Sequence, residues 1–421
     1  MQGILKALGP GILFASTAIG VSHLVQSTRA GAEYGFLLLW AVICANLFKY
    51  PFFEYGSRYA NAAGESIIDG YKRVGRWMLI AYFLITIASM FFVTAAVGFV
   101  TAGFLENLFG LNQLTDFKLL TTLILFIVCV GILVLGKYSV LDSMIKVIGS
   151  VLLLSTLGAF ILTLINGPIE KVPNFTPPEV WNDTGILFII ALMGWMPTAV
   201  DLSAWNSLWT IERIKQTGYK PTLKETLFDF NFGYIISAIL SVCFITLGAF
   251  IMYGSGVEMS QQSATFANQV VELYTITIGE WSYFIIAVAA FSIMFGTSIA
   301  VFDGYARALE RSFELLFFKE EDQETLLKSR TFYIVSLLVV AIGAFIIIAQ
   351  FISNLKALVD LATTISFLIA PLVAVVNFKL VTDERFTAKE YHPPQWLRLL
   401  SYAGIVYLVG FGLLFLWVKF I

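Results

Sequence analysis

The residues best suited to chemistry in this sequence lie at positions 192–201, which read Leu-Met-Gly-Trp-Met-Pro-Thr-Ala-Val-Asp. They include the thioethers of Met193 and Met196, the hydroxyl of Thr198 and the carboxylate of Asp201. Thioethers are soft metal ligands, whereas hydroxyl and carboxylate groups bind polar solutes and hard cations. The segment around them is apolar and long enough to cross a membrane, where an ionisable residue marks a functional site by default. The stretch therefore predicts a binding site for an ion or a small polar solute.

The same stretch predicts a broken helix. Gly194 and Pro197 lower the helix propensity and remove one backbone donor, and the residue before a proline is disfavoured in the α region. In lipid, such a break survives only where protein or a water-filled cavity receives the freed backbone groups. The first apolar segment is interrupted in a comparable way at Gly20-Val21-Ser22-His23. We therefore expect two broken helices to frame one site, as in transporters built from inverted repeats.

Asp201 lies about one turn after Pro197 and has three interpretations. Its carboxylate reaches the cavity and forms a cation site, with Met196 as a second candidate ligand. Alternatively, it pairs with His23 in a proton-sensitive dyad, or it caps the start of the second half-helix. The sequence leaves these alternatives open.

Three ionisable residues interrupt the second apolar segment: Lys49, Glu54 and Arg58. Glu54 and Arg58 have the i, i+4 spacing of a helical ion pair, which fits either a structural pair or a coupling role. For Lys49, the alternatives are a structural charge and a fixed positive charge that substitutes for a coupling ion.

Two further charged pairs fall in later segments. Asp303 precedes Arg307 by one helical turn, and this spacing predicts a satisfied pair or part of an inner gate. Asp360 follows Lys356 at the same spacing, and the same two interpretations apply to it.

The composition excludes a soluble globular domain. Of 421 residues, 58% are hydrophobic and only 13% are charged, and the mean hydropathy is +0.84. A net charge of -2 without a basic cluster argues against a nucleic-acid partner. Cys44, Cys129 and Cys243 lie inside apolar runs without the paired spacing of a metal site. No nucleophile with a base, phosphate-binding loop or hydrolytic metal motif is present, so we do not expect an enzyme.

Eleven apolar runs are long enough to cross a bilayer of about 30 Å. They fall at about 9–32, 35–60, 78–108, 118–136, 142–166, 184–209, 228–253, 280–310, 329–350, 357–380 and 398–420. The linkers are short, so residues 1–421 are expected to form a single membrane domain.

The distribution of lysine and arginine sets the expected orientation. With a cytoplasmic N-terminus, 19 of these residues fall on the cytoplasmic side and 5 on the opposite side. The sequence therefore predicts a multi-pass protein of the inner (plasma) membrane of a prokaryote-like cell, with its N-terminus in the cytoplasm and its C-terminus outside.

The two breaks also indicate an internal repeat. Five segments separate the first break from the second, which is the spacing of two five-helix halves of opposite orientation. Residues 9–166 are the expected first repeat, residues 184–380 the second, and residues 398–421 an extra peripheral helix.

Several short motifs occur along the chain in an order that is informative. They are Gly9-Pro10-Gly11, Gly31-Ala32-Glu33-Tyr34-Gly35-Phe36 followed by Leu39-Trp40, Ala45-Asn46-Leu47, Met196-Pro197, Asn107-Leu108-Phe109-Gly110 and Phe295-Gly296-Thr297-Ser298. Together they resemble the Nramp family of metal-ion transporters. The resemblance covers nearly the whole chain and implies a LeuT-type fold. The expected fold class is thus an all-α polytopic membrane protein with about 11 transmembrane helices, in which helices 1 and 6 are broken at the midplane.

The metal ligands implied by this resemblance are largely missing. Where the family carries Asp-Pro-Gly-Asn on helix 1, this chain has Gly20-Val21-Ser22-His23, and the family's Met-Pro-His on helix 6 is Met196-Pro197-Thr198. Met193 aligns with a small residue whose carbonyl helps to bind metal in the family. Helix 3, where the family places carboxylates for proton release, has no acid before Glu106. One thioether with backbone carbonyls makes a poor metal site.

We therefore expect a secondary transporter whose classical metal site is lost and whose substrate is a small, bicarbonate-like anion or a polar solute. Exposed amides at the start of a second half-helix favour an anion. The alternatives are a divalent cation transporter of the Mg²⁺ or Mn²⁺ type that uses Asp201, and a non-transporting membrane sensor. The expected partners are the small inorganic ion or polar solute and the lipid bilayer, without nucleic acid or an obligatory protein partner. No cofactor is expected, and a coupling ion, H⁺ or Na⁺, stays open. The expected substrate-binding residues are Gly20, Val21, Ser22, His23, Met193, Met196, Thr198, Asp201 and Thr297.

Overall fold

A computed structural model describes residues 8–111, 118–135, 138–318 and 331–420. Side chains are described in these ranges except at positions 118, 138–149 and 152. Every regular element in the described residues is helical. The expected all-helical fold class is confirmed.

The first half of the chain contains a broken helix followed by four long helices and one short one. Its elements are α1 (Pro10–Ala18), a π-helical turn (Ser22–Ser27), α2 (Thr28–Tyr34), α3 (Leu39–Ala63), α4 (Ile67–Val74), α5 (Arg76–Leu108), α6 (Lys118–Leu135) and α7 (Tyr138–Asn166).

The second half begins with another broken helix. Its elements are α8 (Asp183–Gly194), a 3-10 turn (Val200–Leu202), α9 (Ser203–Thr217), α10 (Leu223–Ile251), α11 (Ser263–Ile278), α12 (Tyr283–Phe317), α13 (Thr331–Phe351), α14 (Leu355–Thr382) and α15 (Gln395–Phe420), with short 3-10 turns at Glu280–Ser282 and Lys389–Tyr391.

Each of the eleven predicted segments coincides with one of these helices or with a broken pair, α1 with α2 and α8 with α9. Among the described residues, six helices are individually long and apolar enough to cross a membrane: α5, α10, α12, α13, α14 and α15. Two helices, α4 and α11, were not predicted. A sequence signal for α4 exists, because Ser66 and Asp69 form a capping box at its start.

The broken helices are packed tightly against unbroken neighbours. A side chain at Gly248 of α10 would bring its Cβ within 2.3 Å of the Thr28 carbonyl oxygen of α2, and one at Gly56 of α3 would lie 2.3 Å from the Ser203 carbonyl oxygen of α9. Glycine at these positions therefore permits helix backbones to touch. Each second half-helix is held in this way by one long helix.

The helix pairs follow a pattern that two repeats would produce. α2 packs on α10 and α9 packs on α3, while α14 packs on α5 and α7 packs on α12. If spans 1 to 5 are exchanged in order with spans 6 to 10, the contact of α2 with α10 becomes that of α9 with α3. The contact of α14 with α5 likewise becomes that of α7 with α12. The division into repeats at 9–166 and 184–380 stays a prediction.

The orientation also stays a prediction. Some of the cations counted for it lie outside the described residues, namely Lys6, Lys137, Lys319, Lys328 and Arg330.

Candidate functional site

The break in the sixth span begins where α8 ends. The chain leaves the helix at Gly194, passes through a cis Met196–Pro197 peptide bond and turns into α9. Gly194 faces α14, where a Cβ would lie 2.1 Å from the carbonyl oxygen of Thr363. The break expected from Gly194 and Pro197 is therefore present, and the last carbonyls of α8 lack helical partners.

The ammonium group of Lys49 occupies this break. Its Nζ donates to the carbonyl oxygens of Met193 at 3.0 Å, Gly194 at 3.0 Å and Thr198 at 2.7 Å. An ammonium has three donors, so these bonds use all of them. Lys49 is completely buried, and the three acceptors include carbonyls at the negative end of α8. We call these three oxygen atoms the carbonyl cradle.

Asp201 lies in the 3-10 turn that starts the second half of the span. It is 3% exposed, and its Oδ1 has no hydrogen-bond partner among the described residues. It interacts electrostatically with Lys49 and with the phenols of Tyr71, Tyr82 and Tyr305. The carboxylate thus supplies the counter-charge to the ammonium and keeps one oxygen uncommitted.

The break in the first span lies against α12. α1 ends at Ala18, and a Cβ at Gly20 would come within 2.7 Å of the Thr297 methyl carbon. The Thr297 hydroxyl donates to the carbonyl oxygen of Ser16 at 2.7 Å. Thr297 and Gly20 therefore shape this break, while the hydroxyl of Thr297 is already used.

His23 does not pair with Asp201, so the proton-sensitive dyad, one of the three interpretations of Asp201, is wrong. The His23 Nε2 lies 2.8 Å from the carbonyl oxygen of Ser237 on α10, and its Nδ1 lies 2.8 Å from the Ser22 hydroxyl. The Ser22 hydroxyl also donates back to the Ala18 carbonyl. Both side chains are buried, as is Val21. They fasten the first break to α10, so the imidazole and hydroxyl donors expected for a substrate are engaged.

The two thioethers point in different directions. The Met193 sulfur contacts the hydroxyl of Tyr407 on α15, whereas the Met196 sulfur lies 3.9 Å from the Ser27 hydroxyl in the first span. Only Met196 therefore faces the opposite break, and Met193 contributes its carbonyl through Lys49. Thr198 likewise contributes a carbonyl oxygen to the cradle.

A charged cluster joins α2 to α14, on the side that the predicted orientation makes the outer one, and we call it the outer cluster. Arg29 donates to the two carboxylate oxygens of Asp360 at 2.8 and 3.3 Å, and Gln26 donates to Asp360 at 3.0 Å. Lys356 donates to Glu33 at 3.0 Å. The pair of Lys356 with Asp360 that their spacing allowed is therefore wrong, because Asp360 pairs with Arg29 and Lys356 pairs with Glu33.

A second charged group, the inner cluster, links α9, α12 and α13. Arg307 donates to both oxygens of Asp303 at 2.9 Å, which also accept from Trp209 at 3.0 Å and Tyr333 at 2.7 Å. Arg307 reaches Glu212 at 3.7 Å and lines a cavity of about 240 Å³. The spacing of Asp303 and Arg307 therefore identified a real pair, while its aromatic partners on other helices had no sequence signal.

The contacts of the Glu54–Arg58 pair are those of a structural ion pair. Arg58 donates to Glu54 at 2.6 Å and to the carbonyl oxygen of Tyr391 at 2.7 Å, in the loop before α15. Both side chains are buried. The pair anchors this loop to α3.

Within the described parts of the chain, no three histidine, cysteine, aspartate or glutamate side chains are grouped to hold a metal ion. Asp201 and Met196 are the residues of the sixth-span break that retain metal-binding chemistry.

The chain is similar to known proteins along nearly its whole length. A family model described as natural resistance-associated macrophage protein-like (Nramp) matches residues 11–418. A Pasteurella multocida protein described as uncharacterized is 37% identical over 412 residues, which are 97% of this chain and 92% of that protein.

Solved structures share the fold at low sequence identity. A manganese transporter mutant of Eremococcus coleocola superposes with a TM-score of 0.71 at 14% identity, covering 98% of this chain and 86% of its own. MhsT, solved in complex with L-phenylalanine, gives a TM-score of 0.62 at 12% identity, covering 99% and 98% of the two chains. These likenesses confirm the LeuT-type fold.

Proposed function

This chain belongs to the Nramp family of transporters, and we propose that it is a secondary transporter that carries a small, bicarbonate-like anion or a polar solute by alternating access. The membership makes it an integral membrane protein. The inner (plasma) membrane remains its proposed location.

The observation that carries the proposal is the position of the Lys49 ammonium. The resemblance to the family implies that Met193 stands where a small residue's carbonyl helps to bind metal, and the Met193 carbonyl oxygen of this chain accepts a hydrogen bond from Lys49 at 3.0 Å. A monovalent cation about 4 Å from this ammonium would be repelled by roughly 4 kcal/mol at an effective dielectric constant of 20, and a divalent cation by about twice as much. The repulsion lowers the affinity about a thousandfold for the monovalent cation and further for the divalent one. The single thioether of Met196 offers little to offset it.

The same arrangement favours an anion or a dipolar solute. The fixed ammonium and the N-terminal end of α9 both contribute positive potential at the break. Among the described residues, the Ser27 hydroxyl donates only to the Met196 sulfur, which is a weak acceptor, so it is available to a better acceptor on a substrate. The donors proposed for the substrate are therefore Ser27 and Thr198, in place of Ser22 and His23.

The outer and inner clusters are the proposed gates of the transport cycle. The outer cluster ties α2 to α14, and the inner cluster ties α9 to α12 and α13. The ion pairs of both clusters are formed, and the side chains of Lys49, Met196 and Asp201 are buried. Access from one side requires one cluster to open while the other stays closed.

A divalent cation is the second candidate substrate. It is favoured by the Oδ1 of Asp201, which is buried and has no hydrogen-bond partner among the described residues. In this alternative, Asp201 and Met196 bind the ion, and Lys49 must leave the cradle during the cycle.

Uptake into proteoliposomes tests the proposal. We expect the wild-type protein to accumulate radiolabelled bicarbonate above empty liposomes, and Lys49→Met to lose this uptake. Lys389→Met, in the loop before α15, is the matched control and retains it. Saturable Mn²⁺ or Mg²⁺ uptake that Asp201→Ala abolishes would overturn the anion proposal. A protein that carries neither probe would instead support the sensor alternative.

A further inference from the structure

We propose that Lys49 is a tethered counter-cation that takes the place of a soluble coupling ion at the sixth-span break. The inference rests on the proposed transport function and specifies its coupling. Of the two coupling ions left open by the sequence, it excludes Na⁺ from the carbonyl cradle. It also implies that removing the ammonium creates a binding site for a small organic ammonium ion.

The first argument is the chemistry of the carbonyl cradle. Groups of backbone carbonyl oxygens replace the hydration shell of a monovalent cation in other membrane proteins. Here three such oxygens converge at 2.7 to 3.0 Å on the nitrogen of Lys49. All three belong to the break itself, which is where transporters of this architecture bind their ions. The ammonium therefore sits in a site that is chemically suited to a cation.

The second argument is the balance of charge. Burying an ammonium costs several kcal/mol unless a counter-charge and hydrogen bonds compensate for it. Lys49 is completely buried, and Asp201 acts on it electrostatically without an ion pair within 4.0 Å among the described residues. The Phe53 ring adds a weak contact, with its centroid 6.0 Å from the Nζ atom. Asp201 thus offsets part of the ammonium charge, and the carbonyl cradle supplies the hydrogen bonds, so this position needs no soluble ion.

The third argument concerns the half-helices. The cradle takes oxygens from both sides of Met196–Pro197, since Met193 and Gly194 end α8 and Thr198 precedes α9. One charged group on α3 therefore holds both edges of the break. A coupling ion bound at this point would hold the two edges in the same way. In this chain the cation is a side chain and is therefore covalently attached.

Chemical rescue tests the inference without any substrate. Lys49→Ala removes three carbons and the ammonium nitrogen, which together correspond to n-propylammonium. We expect the melting temperature of purified Lys49→Ala to fall below that of the wild type. Saturating n-propylammonium should raise it again by about 2 °C or more.

Three controls separate a specific site from a general effect. 1-Propanol matches the shape without the charge, so it should not stabilise Lys49→Ala. Lys49→Met fills the volume without the charge, so n-propylammonium should stabilise neither Lys49→Met nor the wild type. Equal responses in all three proteins, or no response in Lys49→Ala, would overturn the inference.

A second measurement covers the case in which Lys49→Ala does not fold alone. The variant is then extracted and purified in the presence of either n-propylammonium or 1-propanol. The inference predicts a monodisperse size-exclusion peak only with n-propylammonium, and failure in both solutions contradicts it.

The two proposals can fail separately. Mn²⁺ uptake together with rescue of Lys49→Ala would reject the proposed substrate and retain the tethered cation. Bicarbonate uptake that requires Na⁺, with no rescue, would retain the substrate and reject the tethered cation.

Discussion

At the scale of single residues, the site is defined by which polar groups are already engaged. His23 bonds to Ser237 and Ser22, and Lys49 bonds to three carbonyl oxygens, while Asp201 keeps an oxygen without a partner among the described residues. A buried group with satisfied hydrogen bonds contributes to stability, whereas an unsatisfied one is a candidate for substrate or proton binding. We therefore expect His23 to contribute to stability, and Asp201 to be a candidate for binding a substrate or a proton.

His23 provides a prediction that separates these roles. Because its ring joins the first break to α10, His23→Ala should lower the melting temperature but leave the half-saturation concentration for bicarbonate unchanged. His392→Ala is the control, since the described hydrogen bond of the His392 side chain goes to a loop carbonyl, that of Thr387. Thermal unfolding and uptake kinetics measure the two effects. A weaker apparent affinity at unchanged stability would return His23 to the substrate site.

Asp201 gives the complementary prediction. Asp201→Asn keeps the shape but removes the counter-charge of a buried ammonium, so we expect stability to fall by about 2 kcal/mol or more. Asp183→Asn, at an exposed position in α8, serves as the control and should change little. Denaturant or thermal unfolding in detergent checks this. An unchanged stability in Asp201→Asn would show that Lys49 and Asp201 do not balance each other.

At the scale of helices, close backbone contacts hold the half-helices to their neighbours. Gly248 lets α10 touch α2, whereas Gly410 on α15 has open space where a Cβ would lie. Gly248→Ala should therefore destabilise the protein by about 2 kcal/mol through overpacking. Gly410→Ala should be neutral or stabilising, because alanine has the higher helix propensity. Equal melting temperatures for the two variants would contradict the packing described here.

The outer cluster is expected to limit the separation of α2 from α14. Arg29→Gln removes the main donor to Asp360, so α2 and α14 should separate more often and expose the first break to the outside. In a protein whose native cysteines are replaced by alanine, Ser27→Cys should then react faster with a membrane-impermeant maleimide. Arg385→Gln, which breaks an exposed ion pair with Asp383, is the control. An unchanged labelling rate would show that the outer cluster is not a gate.

Local features of the site could be predicted from the sequence, whereas contacts between distant residues could not. The helix breaks and the Asp303–Arg307 and Glu54–Arg58 pairs follow from propensity and i, i+4 spacing, and they were predicted. The Arg29–Asp360 pair spans 331 positions, and nothing local signals it. The partners of Lys49 are backbone carbonyls, which have no sequence signature at all. The direction of a side chain such as His23 depends on which helix packs behind it, so its role could not be predicted.

At the scale of the whole molecule, an Nramp-family fold is combined with a different charge arrangement at its centre. Family membership and the LeuT-type fold are established by the whole-length match and the solved structures. The fold supplies two breaks, and the chain supplies an ammonium where a metal carrier needs open ligands. We therefore expect the transport architecture to be retained and the metal specificity to be lost.

The orientation is a prediction for the whole chain. The excess of lysine and arginine on one side predicts a cytoplasmic N-terminus and an external C-terminus. A C-terminal alkaline phosphatase fusion should therefore be active in bacterial cells, and a C-terminal green fluorescent protein fusion should be dark. The opposite pair of results would invert the assignment of the inner and outer clusters.

The central claim is that Lys49 occupies the cation position of the site, and a titration of purified wild-type protein with Mn²⁺ tests it most directly. Isothermal titration calorimetry should detect no saturable binding at concentrations up to roughly 1 mM. Saturable binding of Mn²⁺ with a micromolar Kd that Asp201→Ala abolishes would contradict the claim.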